Sequence, residues 1–447
     1  MTGALATDLY ELNMAASYLR RGMTDTATFS LFVRRLPPGR GFLVAAGLEP
    51  SLAFLEGVRF EAHELDYLRD ELGFTTEDVD AFASLRFTGD VWAIPEGRVL
   101  YAGEPLLEVT APLPEGQLVE TFLLNQITFH TTLASKAARC RLAAGGRDVV
   151  DFAFRRTQGA DAADAAARDS AIAGFAATSN VAAARRYGLP AAGTMAHSYV
   201  EAFPSEVDAF RAFASDFPQR TTFLVDTYDT LKGVRAAIDV IHELGLRDAL
   251  GIRLDSGDLG ALSVQARELL DGAGLGHVRI FASGGLDEMD IDRLVRGGAP
   301  IDAFGVGTRM GVSADAPFLD TAYKLAEYAG RPVLKMSPGK ISVPGAKQVY
   351  RLPGGDVVTL RDEAPPVGGE PLLRPVMLRG ERTDPAPDPP AAVAAARAWF
   401  ERDLPAVPLE AARVVDPVTT GPVTSEGLEA LAKEARDRAL TWEVGGR

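Results

Sequence analysis

The sequence predicts an α/β protein: a (β/α) barrel, an N-terminal α/β (α+β) domain before it and a small C-terminal region after it. Two observations carry the barrel. From Val149 onward a short apolar stretch, a polar or glycine-rich cluster and a helical stretch follow one another six times, at 148–154, 191–195, 222–227, 249–255, 277–282 and 301–306. Such repeated βα units form a parallel sheet, and right-handed crossovers bring all the strand ends to one face. The second observation is that every strand ends in chemistry. The ends read Arg155-Arg156-Thr157-Gln158-Gly159, Gly193-Thr194-Met195-Ala196-His197, Asp226-Thr227-Tyr228-Asp229, Arg253-Leu254-Asp255-Ser256-Gly257-Asp258, Ser283-Gly284-Gly285 and Gly305-Val306-Gly307-Thr308-Arg309. A barrel arranges all its strand ends around one site. An open doubly wound sheet, the other candidate, gathers such residues at a single switch point.

A third observation sets the N-terminal part apart: residues 27–132 mix strand-like alternation with short helical stretches, punctuated by proline and glycine. The chain opens with Asp8 as a helix cap and Glu11 placed to close a capping box. Leu9, Leu12, Ala16 and Leu19 share one helical face, and Tyr10 lies about 100° from Leu9, a half-buried rim aromatic. Strand-like pieces follow at 27–33, 91–95, 99–101 and 105–110, with helical ones at 48–55, 61–72 and 76–85. The loop Arg34-Arg35-Leu36-Pro37-Pro38-Gly39-Arg40-Gly41 is basic, and a solvated loop and a phosphate contact suit it equally. Within the barrel the helical stretches are 164–187, 205–214, 231–244, 259–270 and 287–296. After Tyr323 come β-like pieces at 331–335, 340–343, 348–352 and 356–360. Residues 383–390 hold four prolines and read as a linker, and helices at 391–404 and 425–440 follow. The expected division is 1–132 completed by 331–382, a barrel over 133–330 that carries the site, and a linker with C-terminal helices over 383–447.

Composition narrows the function. The 447 residues are 47% hydrophobic and 24% charged, ordinary for a globular protein. A net charge of −15 argues against nucleic-acid and anionic-membrane partners. Cys140 is the only cysteine, so an intramolecular disulfide and a cysteine-ligated zinc are excluded. That usage, with neither a signal peptide nor a membrane span apparent, points to the cytoplasm.

Of the five histidines, His63 and His242 read as surface helix residues, and His130 reads as buried and satisfied. His197 differs, because Gly193-Thr194 precede it at a strand end, where free backbone N–H groups can hold an anion. The glycine turns at Gly284, Gly285 and Gly307 suit phosphate in the same way. Arg155 or Arg156, and Arg253, supply forked cations for phosphate or carboxylate, only one of the adjacent pair facing the mouth. Asp226, Asp229, Asp255 and Asp258 suit ribose hydroxyls or water-bound Mg²⁺, with helix capping an equal reading for Asp229 and Asp258. No HExxH, Walker A or serine-hydrolase signature is present.

These motifs occur together in one known family. Thr7-Asp8-Leu9-Tyr10, Arg155 to Gly159, Thr178-Ser179-Asn180-Val181, Gly193 to Val200, Arg253 to Leu259, Ser283 to Gly285, Phe304 to Thr308 and the segment 340–351 closely resemble nicotinate phosphoribosyltransferases. Ala153 is a small departure, and no motif is recognisable after Pro390. The resemblance implies an irregular barrel, a homodimer and small-molecule substrates. It implies a salvage step of NAD biosynthesis that joins nicotinate to phosphoribosyl pyrophosphate, giving nicotinate mononucleotide and pyrophosphate with ATP hydrolysed in the cycle. It assigns His197 as a phosphohistidine, Tyr10, Thr194 and Arg253 to nicotinate, and Thr308 to the phosphoribosyl substrate. Read with the residue chemistry, Arg155, Gly284, Gly285 and Gly307 bind phosphates and Asp255 serves ribose or Mg²⁺-bound water. ATP is a co-substrate, and Mg²⁺ enters with the phosphates without an assigned protein ligand. The alternatives are the related nicotinamide-using transferase, the quinolinate-using relative and a non-catalytic barrel that binds phosphorylated metabolites.

Overall fold

A computed structural model describes residues 3–248, 250–337, 342–419 and 421–445. Ala249, Lys340 and Ile341, which the sequence reading places in strand-like stretches, lie outside the described residues.

The barrel is present but incompletely closed. Six parallel strands, Asp148–Asp151, Ala177–Thr178, Thr222–Leu224, Gly251–Leu254, Arg279–Ala282 and Ala303–Val306, form one sheet. The last of these six strands pairs with the first, Ala303 opposite Asp148 through Val306 opposite Asp151. Each further neighbour is the next strand in sequence, so the order runs once around a ring and stops between Ala177–Thr178 and Thr222–Leu224. The strands are short and apolar because both faces are covered; Ile252, Leu254, Ile280, Ala282, Phe304 and Val306 are buried. Gly305 is required by packing, since a Cβ there would lie 2.9 Å from both Phe152 and Phe281.

Two expectations fail at the gap in the ring. Residues 191–195 are not a strand: only Ala191 bridges, to Thr178, and the chain then loops into the helix His197–Glu201. Among the described residues the sheet ends here, and the chain leaves it after this single bridge. The predicted helix 164–187 is two helices, Ala160–Ile172 and Val181–Tyr187, with the strand Ala177–Thr178 between them. Gly174, at φ +88, ends the first helix, and the Asn180 side chain caps the second by accepting from the Ala183 N–H. Asp229, Asp258 and Asp287 cap the helices after three other strands, so capping accounts for Asp229 and Asp258.

The N-terminal domain is a seven-stranded sheet ordered Arg331–Pro332, Thr321–Tyr328, Thr26–Val33, Pro105–Pro112, Asp90–Ala93, Arg374–Leu378 and Glu381–Arg382. Thr321–Tyr328 falls within the range assigned to the barrel by sequence, but it pairs antiparallel with Thr26–Val33 from end to end. The 24-residue helix Glu120–Ala143 crosses between the two cores. Leu123 and Ile127 pack in the N-terminal core, whereas Leu133, Ala134, Ala137 and Cys140 pack in the barrel core. The boundary placed at 132 therefore falls inside one continuous helix. The C-terminal helix Pro389–Asp403 buries Val393, Ala396 and Phe400 against the barrel. Among the described residues no helix is long and apolar enough to cross a membrane.

Candidate active site

The C-terminal ends of the parallel strands surround a cavity of about 480 Å³ lined by Phe152, Phe154, Arg155, Ser179, Gly193, Thr194 and Arg253. Arg253 organises it. It leaves the strand Gly251–Leu254 with Nε donating to Ser283 Oγ (2.8 Å), Nη1 to Thr194 Oγ1 (3.1 Å) and Nη2 to Asp255 Oδ1 (2.6 Å). The Phe152 ring lies 5.4 Å beneath the guanidinium. Ser283 Oγ donates in turn to Asp255 Oδ1 at 2.5 Å. A guanidinium carries five N–H groups, so three fixed bonds orient the plane and leave donor capacity on both terminal nitrogens.

Asp255 links this cation to His197. Its Oδ2 lies 3.9 Å from His197 Nε2, while His197 Nδ1 meets Thr227 Oγ1 at 3.2 Å. Burial pushes the Asp255 carboxyl up, but Ser283, Arg253 and His197 outweigh it and hold the group below the ordinary carboxylate range. The backbone N–H of Asp255 and the hydroxyl of Ser256 both donate to Asp226 Oδ2, at 3.1 and 2.6 Å. The other oxygen of Asp226 is buried without a partner, as is Oε1 of Glu206. Burial, then the charges of Asp226 and Asp229, push the Glu206 carboxyl up to about 7.

The glycine turns close the same end of the barrel. Gly284 holds φ +101, and a Cβ there would stand 1.8 Å from the Asp255 carbonyl oxygen, so only glycine lets the turn pass. Gly285 follows at φ +75. Among the described residues, the Gly284 and Gly285 amides meet no acceptor and remain available to an anion. Gly307 and Thr308 follow the strand Ala303–Val306 directly.

The structure thus joins Thr194, His197, Arg253, Asp255 and Ser283 in one network and places Arg155, rather than Arg156, against the cavity. Tyr10 stands apart. It is 46% exposed on the helix Leu9–Arg20 of the N-terminal domain and does not line the cavity of its own chain. Burial, with Glu120 and Glu11 adjacent, raises its hydroxyl. In the basic loop, Arg34 pairs with Asp320 and Arg40 with Asp315, so both serve the fold. His130 is buried against Asp169 at 2.8 Å. Sequence reasoning assigned no role to Phe152, Ser179, Thr227 or Ser283. Ser283 was visible in its glycine turn, but Ser179 was concealed inside a stretch that reads as helix.

Comparison with known proteins agrees with this geometry. Residues 5–128 match the nicotinate phosphoribosyltransferase (NAPRTase) N-terminal domain, and residues 148–341 match the nicotinate phosphoribosyltransferase (NAPRTase) family. A nicotinate phosphoribosyltransferase of Mycobacterium tuberculosis is 50% identical over 426 residues, covering 94% of this chain and 91% of the relative. The chain belongs to the nicotinate phosphoribosyltransferase family. The human nicotinate phosphoribosyltransferase is 32% identical, with 96% of this chain and 95% of the relative covered. The crystal structure of human nicotinic acid phosphoribosyltransferase superimposes with a TM-score of 0.82 at 30% identity, covering 96% of this chain and 99% of the other. A nicotinate-nucleotide pyrophosphorylase from Pyrococcus furiosus gives a TM-score of 0.76 at 26% identity, covering 91% and 96%. Family membership makes the chain a phosphoribosyltransferase.

Proposed function

We propose that this chain joins nicotinate to phosphoribosyl pyrophosphate, with ATP hydrolysed through a phosphohistidine at His197. The observation that carries the reading is the cavity around Arg253, whose charged lining residues, Arg155 and Arg253, are both cations. A carboxylate substrate satisfies the free donors of Arg253 with two anionic acceptors and adds negative charge beside Arg155, whereas an amide offers one neutral acceptor. The aromatic rings of Phe152 and Phe154 suit a flat pyridine ring.

The pyridine nitrogen lone pair forms a bond to C1 of the ribose, and the C1–O bond breaks with its electron pair leaving on pyrophosphate. No proton need move, and the product is a pyridinium. Positive charge grows on the sugar and negative charge on the leaving group, so Asp255 is suited to the first, and the turns at Gly284, Gly285, Gly307 and Thr308 together serve the phosphate and pyrophosphate groups of the substrate. In the ATP step His197 Nε2 takes the terminal phosphoryl group as ADP leaves, and water later breaks the N–P bond. Thr227 at Nδ1 leaves Nε2 as the nitrogen facing Asp255.

Among the described residues no group of three or more acidic, histidine or cysteine side chains could hold a metal ion. The orphaned buried oxygen of Asp226, next to Asp255, fits Mg²⁺ held mainly by substrate phosphates. Bound there, Mg²⁺ would neutralise charge on the leaving pyrophosphate. Tyr10, outside its own cavity, is assigned to the site of a second copy in a homodimer. A cytoplasmic location remains part of the same reading.

The test is product analysis with nicotinate, phosphoribosyl pyrophosphate and Mg²⁺, with and without ATP. Nicotinate mononucleotide should form, ATP should stimulate it, and labelled ATP should label the protein in a His197-dependent way. Preferred use of nicotinamide, or ATP-independent turnover of quinolinate, would overturn the reading. A mixture of Tyr10→Ala and His197→Ala chains, each impaired alone, should regain activity if the site is shared; no recovery from verified mixed dimers would sink that part.

A further inference from the structure

The two glycine turns proposed to hold phosphates follow neighbouring strands, whose parallel pairing ends at Phe281 opposite Ala303 and Ala282 opposite Phe304. Beyond the end of that ladder a pair of ionic contacts joins them. Asp287 follows the first turn and caps the helix Glu288–Arg296, its Oδ1 accepting from the N–H groups of Met289 (3.0 Å) and Asp290 (3.1 Å). Its other oxygen, Oδ2, accepts from Arg309 Nη1 at 2.9 Å, and the same nitrogen reaches Asp290 Oδ2 at 3.0 Å. Arg309 is the second residue after Gly307, on the second turn.

The helix so capped is itself anchored from behind. Glu288 Oε2 pairs with Lys136 Nζ at 2.5 Å and its Oε1 with Arg139 Nε at 2.9 Å, all three side chains being buried, so the first turn is tied to the long helix Glu120–Ala143. Lys136 also pairs with Asp315 at 2.7 Å, beyond the second turn. The first turn is therefore a fixed post, and Arg309 is the side-chain link made directly from the second turn to it. Exposed ion pairs contribute little to stability, and Arg309 is half exposed, so global stability does not account for a cation shared by two carboxylates at this place.

We infer that Asp287 and Arg309 are positioning residues that set the separation of the Ser283-Gly284-Gly285 and Gly307-Thr308 turns for a diphosphate-bearing ribose substrate. The inference rests on the proposed reaction. A phosphate and a pyrophosphate joined through one ribose need two anion sites at a set spacing, and a small misplacement weakens binding of that substrate alone.

The test uses the full-length protein and three variants: Arg309→Met, Asp287→Asn and the double variant. Asparagine keeps a cap acceptor for Met289 and Asp290 while removing the charge. In steady-state kinetics each single variant should raise KM for phosphoribosyl pyrophosphate about tenfold. The double variant should do no worse than either, because the residues act as one unit. The nicotinate KM, kcat and thermal midpoint should stay near wild type, and Arg309→Lys should recover part of the loss. An unchanged phosphoribosyl pyrophosphate KM in Asp287→Asn would overturn the inference. If Arg309→Met alone raises it, Arg309 contacts substrate directly and the clip is wrong. A parallel rise for nicotinate would show a general collapse of the site and also refute it. Should the wild-type protein not convert nicotinate at all, the functional reading fails instead; equilibrium binding of phosphoribosyl pyrophosphate with Mg²⁺ to the same variants then decides the clip separately.

Discussion

Two arginine clusters in this chain use the same residue types for opposite ends. At the barrel mouth Arg253 meets Thr194, Ser283 and Asp255, lies against a cavity and keeps donors to spare. At the junction of the N-terminal domain, a four-stranded sheet (Glu370–Pro371, Lys347–Leu352, Gly355–Leu360 and Val423–Thr424) and the helix Pro389–Asp403, Arg98 donates through Nε to Asp403 (2.7 Å) and through Nη1 to Glu370 (3.0 Å), and stacks 4.7 Å over Trp399. Arg351 joins them, bonding to Asp403 and Asp356 at 2.7 Å each. Arg98 is fully buried. The difference lies in residual valence: at the junction Arg98 and Arg351 are both bound between carboxylates, whereas the mouth cluster is held rigid by its own bonds and left incomplete on one side. A rigid, incomplete cluster binds a ligand; a saturated one holds elements together.

Four substitutions or conditions would break or sharpen that contrast. The largest expected effect is at the junction: Arg98→Met should cost about 3–5 kcal/mol, because Asp403 is left buried with less compensation. Denaturant unfolding would register it, while turnover per folded molecule stays near wild type. At the mouth, Arg253→Met should lower kcat/KM for nicotinate by about two to three orders of magnitude with little change in unfolding, the size seen when one preorganised donor group is removed. Equal losses of stability in the two variants would erase the distinction. Ser179→Asp would bring a carboxylate to a cavity whose charged lining is cationic, and should raise KM for nicotinate about tenfold, or roughly 1.4 kcal/mol. An unchanged KM would mean that Ser179 does not face the substrate.

The smallest effect is a pH dependence at the junction. Burial, then the charge of Asp356, pushes the buried Glu104 carboxyl well above its ordinary value, and its Oε1 is buried without a partner. The unfolded chain releases that proton near pH 4.3, so the folded state binds more protons above it. The contribution is complete below about pH 4.3 and declines as pH rises toward the folded value. Glu104→Gln removes the titrating carboxyl and should flatten this part of the stability profile in thermal unfolding across a pH series. An unaltered slope would exclude Glu104 as its source.

Much of the barrel was legible because a parallel sheet buried on both faces leaves short apolar runs, and because its strand ends carry the chemistry. His197, Arg253, Asp255 and Thr194 were found from such ends, and the structure joins them. Ser179 lay in a recognised motif but was given no role, because a two-residue strand leaves no periodicity of its own within an alanine-rich helical stretch. The 191–195 stretch misled for the converse reason: it is composed like a strand and sits where one belongs, but its neighbour Ala177–Thr178 is only two residues long and a single bridge forms. Tyr10 was recognisable by its motif alone, and its distance from the cavity of its own chain could not be read locally.

The ordered motifs of the sequence by themselves determined the fold class, the family and the kinds of group at the site, since those follow from local pattern and residue chemistry. Tertiary structure alone decided which arginine of the pair Arg155-Arg156 lines the cavity, that Thr321–Tyr328 completes the N-terminal sheet, and that Arg98 is structural where Arg253 is poised for a ligand. Each of these depends on contacts between residues far apart in the chain, as between Arg253 and Thr194, and on whether water or another side chain takes the remaining donors.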